Sequence, residues 1–175
     1  GLKMAVDLPG IDKPPTVKAN AVYNGQPVTL EVTGDNTRKL LAADNFQLIA
    51  SVGSPHATAR YSGAVMRRPT PGLDGKFDLQ VASVGRLLSW VEMPLPAGQP
   101  DPGPLTVHAV MSGDGGKATL KEARIEGKAI RATATGSFDS TTSVPAFDAV
   151  INVEQADLNA YLPADTKQPA RAATP

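Results

Sequence analysis

The chain has 175 residues, and its 17 Lys and Arg are balanced by 17 Asp and Glu. Zero net charge argues against a nucleic-acid binder, which needs a positive excess to neutralise phosphates, and against a polybasic grip on anionic headgroups. The absence of cysteine excludes a disulfide framework and thiolate chemistry, and is compatible with an oxidising compartment.

Apolar residues make up 41% of the chain but aromatics only 5%, and many apolar positions are Ala and Val. Such residues bury little area each, so the expected core is thin and spread along a sheet. Leu2, Met4, Val6 and Leu8 alternate with polar or small neighbours, the period of a strand, and Pro9-Gly10 ends it. Val17, Ala19, Ala21 and Tyr23 form the next strand. Asn24-Gly25 is the strongest short hairpin signal, and Val28, Leu30 and Val32 return beside it. Asp35-Asn36 predicts a helix cap for Thr37–Ala43. Phe46–Val52 and Ala57–Val65 pair around Gly53-Ser54-Pro55-His56, and Pro69–Pro71 forms a loop.

Leu73, Gly75, Phe77, Leu79 and Val81 alternate with Asp74, Lys76, Asp78 and Gln80, as in a sheet with one dry and one wet side. Ser83 caps a helix over Val84–Val91, whose stripe is Val84, Leu87, Leu88 and Val91. Pro94, Pro96, Pro100, Pro102 and Pro104 exclude helix and central strand from the linker that follows. Leu105, Val107, Ala109 and Met111 open the next strand, and Gly113–Gly116 turns the chain. Ala118 and Leu120 then change phase to Ala123 and Ile125, which predicts a β-bulge near Glu122. After a turn at Glu126-Gly127-Lys128 come Ile130, Ala132, Ala134, Gly136 and Phe138, then Phe147, Ala149, Ile151 and Val153. Asp157 caps a helical turn with Leu158, Tyr161 and Leu162, stopped by Pro163.

Two stretches correspond. Ala57–Val65 and Arg131–Phe138 are each followed by a strand and a short helix. Gly63 and Gly136 lie 73 residues apart, and the helix caps Ser83 and Asp157 lie 74 apart. The expected fold is mainly β with a few short helices (α+β): a twisted, curved antiparallel meander of about ten strands. It is built from two β-rich repeats, 1–98 and 99–163, followed by a Pro/Ala-rich tail, 164–175. The chain begins within a strand pattern and carries no signal peptide or run of 18 apolar residues. It therefore reads as a piece of a longer protein, with Gly1 a cloning remnant.

Chemistry-bearing residues form no catalytic set, and no enzyme is expected. His56 and His108 lack metal-ligand spacing, and His108 falls on a polar strand side. Ser54 and His56, two apart in a turn, cannot form a nucleophile–base pair unaided. Gly113-Asp114-Gly115-Gly116-Lys117 misplaces the first glycine of a phosphate loop and leads into a strand. Asp74 and Asp78 lie on a wet face, and nothing suggests the burial that a general acid needs. Asp139 and Asp148 lack the clustered oxygens of a calcium site. Trp90 suits a membrane interface or, with more weight, the packing of its helix on the sheet. The apolar strand faces read equally as a core under the helices or as an open groove.

Gly75-Lys76-Phe77-Asp78-Leu79, Ser83-Val84-Gly85-Arg86-Leu87-Leu88-Ser89-Trp90 and Pro94-Leu95-Pro96 resemble the AsmA family of bacterial envelope proteins. So do Gly103-Pro104-Leu105, Ser112–Gly116, Ile130–Gly136 and Leu158–Pro163, so the resemblance spans Leu2 to Pro163. It implies a periplasmic location, an N-terminal inner-membrane anchor and a role in outer-membrane biogenesis. It also implies a repeated β-groove like that of bridge-like lipid-transfer proteins, with phospholipid acyl chains as partners and no cofactor. Candidate lining residues are Phe77, Leu79, Val81, Ile130, Ala132, Ala134, Phe138, Ala149, Ile151 and Val153. The alternative is a structural or protein-interaction module that binds other envelope proteins. Unpaired sheet edges further predict dimers of the isolated chain.

Overall fold

The computed structural model describes residues 3–42, 45–67 and 70–157. Ten strands form one antiparallel meander in chain order: β1 (Lys3–Asp7), β2 (Thr16–Tyr23), β3 (Gln26–Gly34), β4 (Phe46–Gly53), β5 (Ala57–Met66), β6 (Gly72–Val81), β7 (Leu105–Asp114), β8 (Lys117–Gly127), β9 (Ile130–Asp139) and β10 (Ala146–Ala156). The sheet does not close into a barrel. Two short helices interrupt the meander, α1 (Thr37–Leu41) after β3 and α2 (Val84–Trp90) after β6. The predicted turn at Leu158–Leu162, like Leu2 and the 164–175 tail, lies outside the described residues.

Local chemistry accounts for the connections. Asn24 and Gly25 both take positive φ, 44° and 73°, as a two-residue hairpin turn requires. Gly115 and Gly116 do the same at 50° and 93°, so the glycine-rich loop is a β7–β8 hairpin. The Asn36 carboxamide caps α1 by accepting from the N–H groups of Arg38 and Lys39, and the Ser83 hydroxyl caps α2 by accepting from that of Arg86. A register shift between Leu120 and Ala123 marks the bulge that the phase change predicted.

Register sorts the side chains into two faces. Val17, Val32, Ala50, Tyr61, Phe77, Ala109, Ala123, Ala134 and Ile151 occupy one cross-strand row. The neighbouring row on the same face runs Ala19, Leu30, Val52, Ala59, Leu79, Val107, Ile125, Ala132 and Val153. The opposite face carries Lys18, Glu31, Ser51, Arg60, Asp78, His108 and Arg124 in one row. Within that row Lys18 pairs with Glu31 at 3.1 Å and Asp78 with His108 at 2.6 Å. Each exposed pair is worth at most about 1 kcal/mol, so the row helps specify register more than it adds stability.

The core is as thin as the composition predicts. Among the described residues the buried apolar side chains are Phe46, Val81, Ala109, Ala123, Ala129 and Ala132. Consecutive strands run oppositely, so α1 and α2, which follow β3 and β6, stand at opposite ends of the strands. At one end α1 is tied to the β1–β2 connection, where the Thr37 hydroxyl donates to the Lys13 carbonyl. At the other the Trp90 indole N–H donates to the Tyr23 carbonyl, and the Asn24 amide donates to the Trp90 carbonyl. Trp90 thus packs against the β2–β3 turn, edge-on to Tyr23 and 5.3 Å from the His56 ring.

Candidate functional site

On the apolar face the strand backbones come closest where its glycines lie. Gly63 on β5 is paired with Leu48 on β4 and Gly75 on β6, and one register row continues through Met111 and Leu120 to Gly136 and Ala149. A Cβ on Gly63 would stand 2.3 Å from the Asp74 carbonyl oxygen, and one on Gly136 would stand 2.7 Å from that of Asp148. Glycine in a strand permits backbone to approach this closely. Both copies of the repeated glycine mark such a close approach.

The far half of the apolar face holds an open trough of about 1030 Å³. It lies over β5–β10, at the strand ends away from α2. Its apolar walls come from Val65, Leu73, Met111, Leu120, Ala134, Phe138, Phe147 and Ile151. That volume is at the upper end of the range for small-molecule sites. Arg67 is among the lining residues and lies over the Phe46 ring at 5.6 Å, while the Lys117 side chain pairs with Asp139 at 3.1 Å on the opposite face.

All ten residues singled out from the sequence project to this one face. Ala134, Phe138, Ala149 and Ile151 line the trough. Phe77, Leu79 and Ile130 are half-buried on the same face, and Val153 is exposed beside it. Val81 and Ala132 are 4% and 1% exposed and belong to the core. Met111, Leu120 and Phe147 continue the same alternation and were open to the same inference. Leu73 and Val65, register partners on β6 and β5, join them by the same alternation.

The polar groups serve the scaffold. The Ser54 hydroxyl donates to the Ala57 carbonyl and accepts from the His56 and Ala57 N–H groups, which closes the β4–β5 turn. The Asp101 carboxylate accepts from the Ser83 hydroxyl and from the N–H groups of Gly85 and Gly103. Those bonds hold its pKa below the ordinary carboxylate range and pin the proline-rich linker to the start of α2. Asp139 is held down to about 2 by the hydroxyl and N–H of Thr141 and by Lys117. Among the described residues no three His, Asp or Glu side chains gather as a metal site, and no helix is long and apolar enough to cross a membrane.

No family model, curated protein or solved structure matches this chain.

Proposed function

We propose that this chain is a periplasmic segment of an AsmA-like envelope protein. Its apolar β-face carries phospholipid acyl chains between membranes in support of outer-membrane biogenesis. One observation carries the reading: apolar side chains run in register from β1 to β10 on a single face, while α1 and α2 stand at the strand ends. A soluble chain ordinarily buries such a face; large apolar side chains left exposed on it, Leu73, Phe138, Phe147, Ile151 and Val153, mark a binding surface. Over β5–β10 the face is hollowed into the trough.

The mechanism is passive. Acyl methylenes leave water for the trough at about 0.8 kcal/mol each. Headgroups remain solvated at the rim, and no covalent step is needed. The apolar surface offers no directional contact that would fix a chain in one place, so lipid can slide along it. The charged opposite face keeps that side in water.

Native mass spectrometry of the gently purified chain tests the proposal. Co-purified phospholipid, displaced by a photoactivatable fatty acid that cross-links to Phe138, Phe147 or Ile151, is the expected result. Absence of bound lipid together with absence of acyl cross-linking on this face would overturn it and favour the structural-module alternative.

A further inference from the structure

The two edges of the sheet differ. β1 offers five residues, Lys3–Asp7, followed at once by Pro9-Gly10. β10 offers eleven, Ala146–Ala156, all of them exposed and, among the described strands, bonded to β9 alone. Natural sheets blunt their edges with shortness, proline, lysine or inward-pointing charge. β10 contains no Pro, Lys or Gly, and its apolar-face residues Phe147, Ala149, Ile151 and Val153 carry no charge.

We propose that β10 pairs with β10 of a second copy, antiparallel and centred on Val150. Pro145 precedes the strand, and a register shift between Val153 and Gln155 interrupts it at the other side. Within the regular stretch Ala146–Val153, the seven residues Phe147–Val153 are centred on Val150. It is self-complementary about that residue: Phe147 meets Val153, Asp148 meets Asn152, Ala149 meets Ile151, and Val150 meets itself. A shift of the centre to Ile151 would set Asp148 against Glu154, two like charges directly opposite, which is unfavourable. The Val150 centre sets Asp148 against a neutral amide that can donate to it. A two-fold axis normal to the sheet leaves both apolar faces on the same side, so the contact is closed and isologous. It joins two ten-strand faces into one twenty-strand face. The pairing does not depend on lipid binding.

The chain has no cysteine, so a single introduced thiol reports the register directly. Opposed residues in an antiparallel pair have Cα atoms about 4.5–5.5 Å apart, within disulfide range. On light scattering the 175-residue chain is expected at twice its 18.2 kDa monomer mass. Val150→Cys should form a disulfide dimer on mild oxidation, and Ala5→Cys on the β1 edge should not. Val150→Lys, at a position 55% exposed, should restore the monomer mass with unchanged circular dichroism. A monomer at every concentration, Val150→Cys coupling no faster than Ala5→Cys, or open-ended oligomers would each overturn the proposal. If Val150→Lys fails to fold, the cysteine comparison decides alone.

Discussion

Gly63 stands directly opposite Gly75 across the β5–β6 pair, with the ring of Tyr61 laid over both. The Tyr61 hydroxyl lies 2.7 Å from where a Gly63 Cβ would be, and its Cζ lies 2.9 Å from where a Gly75 Cβ would be. The aromatic ring fills space that the two glycines leave empty, a recognised way to support glycine in a sheet. The close approach of β5 and β6 at this point depends on this cluster.

Gly63→Ala should therefore destabilise the sheet by about 1–3 kcal/mol, as overpacking does. The added carbon would meet backbone, the Asp74 carbonyl at 2.3 Å and the Gly75 Cα at 2.5 Å. Gly53→Ala is the comparison: there the obstacle is the Thr29 hydroxyl at 2.9 Å, a side-chain atom that can turn away. Urea denaturation of the two variants should show a lowered midpoint for Gly63→Ala and a much smaller change for Gly53→Ala. Equal midpoints would dismiss the close-approach account.

Tyr61 should titrate late. Burial is the largest cause of its raised pKa, with the Asp74 charge adding to it, and its hydroxyl donates to the Ala64 carbonyl at 3.1 Å. A raised folded-state pKa contributes stability that is fully present below the ordinary tyrosine range and is lost as pH rises through the folded value. Phenolate absorbance should show a component above the ordinary range that is missing in Tyr61→Phe. That variant should also lose about 1 kcal/mol at neutral pH with its hydrogen bond.

Asp139 makes the opposite case at acid pH. Its pKa falls from an ordinary 3.8 to about 2, chiefly through the Thr141 hydroxyl. The stability it contributes is present above the ordinary carboxylate value and disappears as pH drops toward 2. Carboxyl NMR titration should place Asp139 well below the ordinary carboxylate value, and Thr141→Val should bring it back up. An ordinary titration in the unmodified chain would refute the geometry of this turn.

Asp101→Asn should loosen the proline-rich linker from α2. The carboxylate sits at the helix start, where negative charge is favourable, and accepts three hydrogen bonds. A loss of about 1 kcal/mol is expected from such a cap. Amide exchange should quicken at Gly85 and Gly103 while β8 and β9 stay protected. Unchanged exchange at those two amides would show that the clamp does not hold the linker.

On the apolar face, Phe138→Asp should lower lipid occupancy about tenfold or more, because a carboxylate set against acyl chains must be desolvated. Phe138 is 42% exposed, so the fold has little to lose. His108→Ala, on the polar face, is the matched control and should leave lipid binding unchanged. Lipid counts per chain from native mass spectra of the two variants make the comparison.

Each strand core, the Asn24-Gly25 and Gly115-Gly116 hairpins, both helix caps and the bulge beside Glu122 follow from neighbours a few residues apart, and all were open to a reading of the sequence. The Asp101 clamp was not. Its partners Ser83 and Gly85 lie across a linker whose prolines announce only irregular structure. The Asp78–His108 pair was half visible: both residues alternate onto polar faces, but their apposition needs the β6–β7 register.

By itself the sequence determined which side chains share a face. Alternation is a local property of extended backbone, and the turns pass it from strand to strand. The repeated glycines at 63 and 136 were visible too, though not their purpose. The tertiary structure alone decided that these glycines admit neighbouring backbone and that the helices stand at opposite strand ends. It also decided that Val81 and Ala132 are buried while Phe138, Phe147 and Ile151 remain open. An alternating apolar strand reads the same whether its face is covered or bare. The difference lies in curvature and in what packs over the face, and both arise from contacts between residues far apart in the chain.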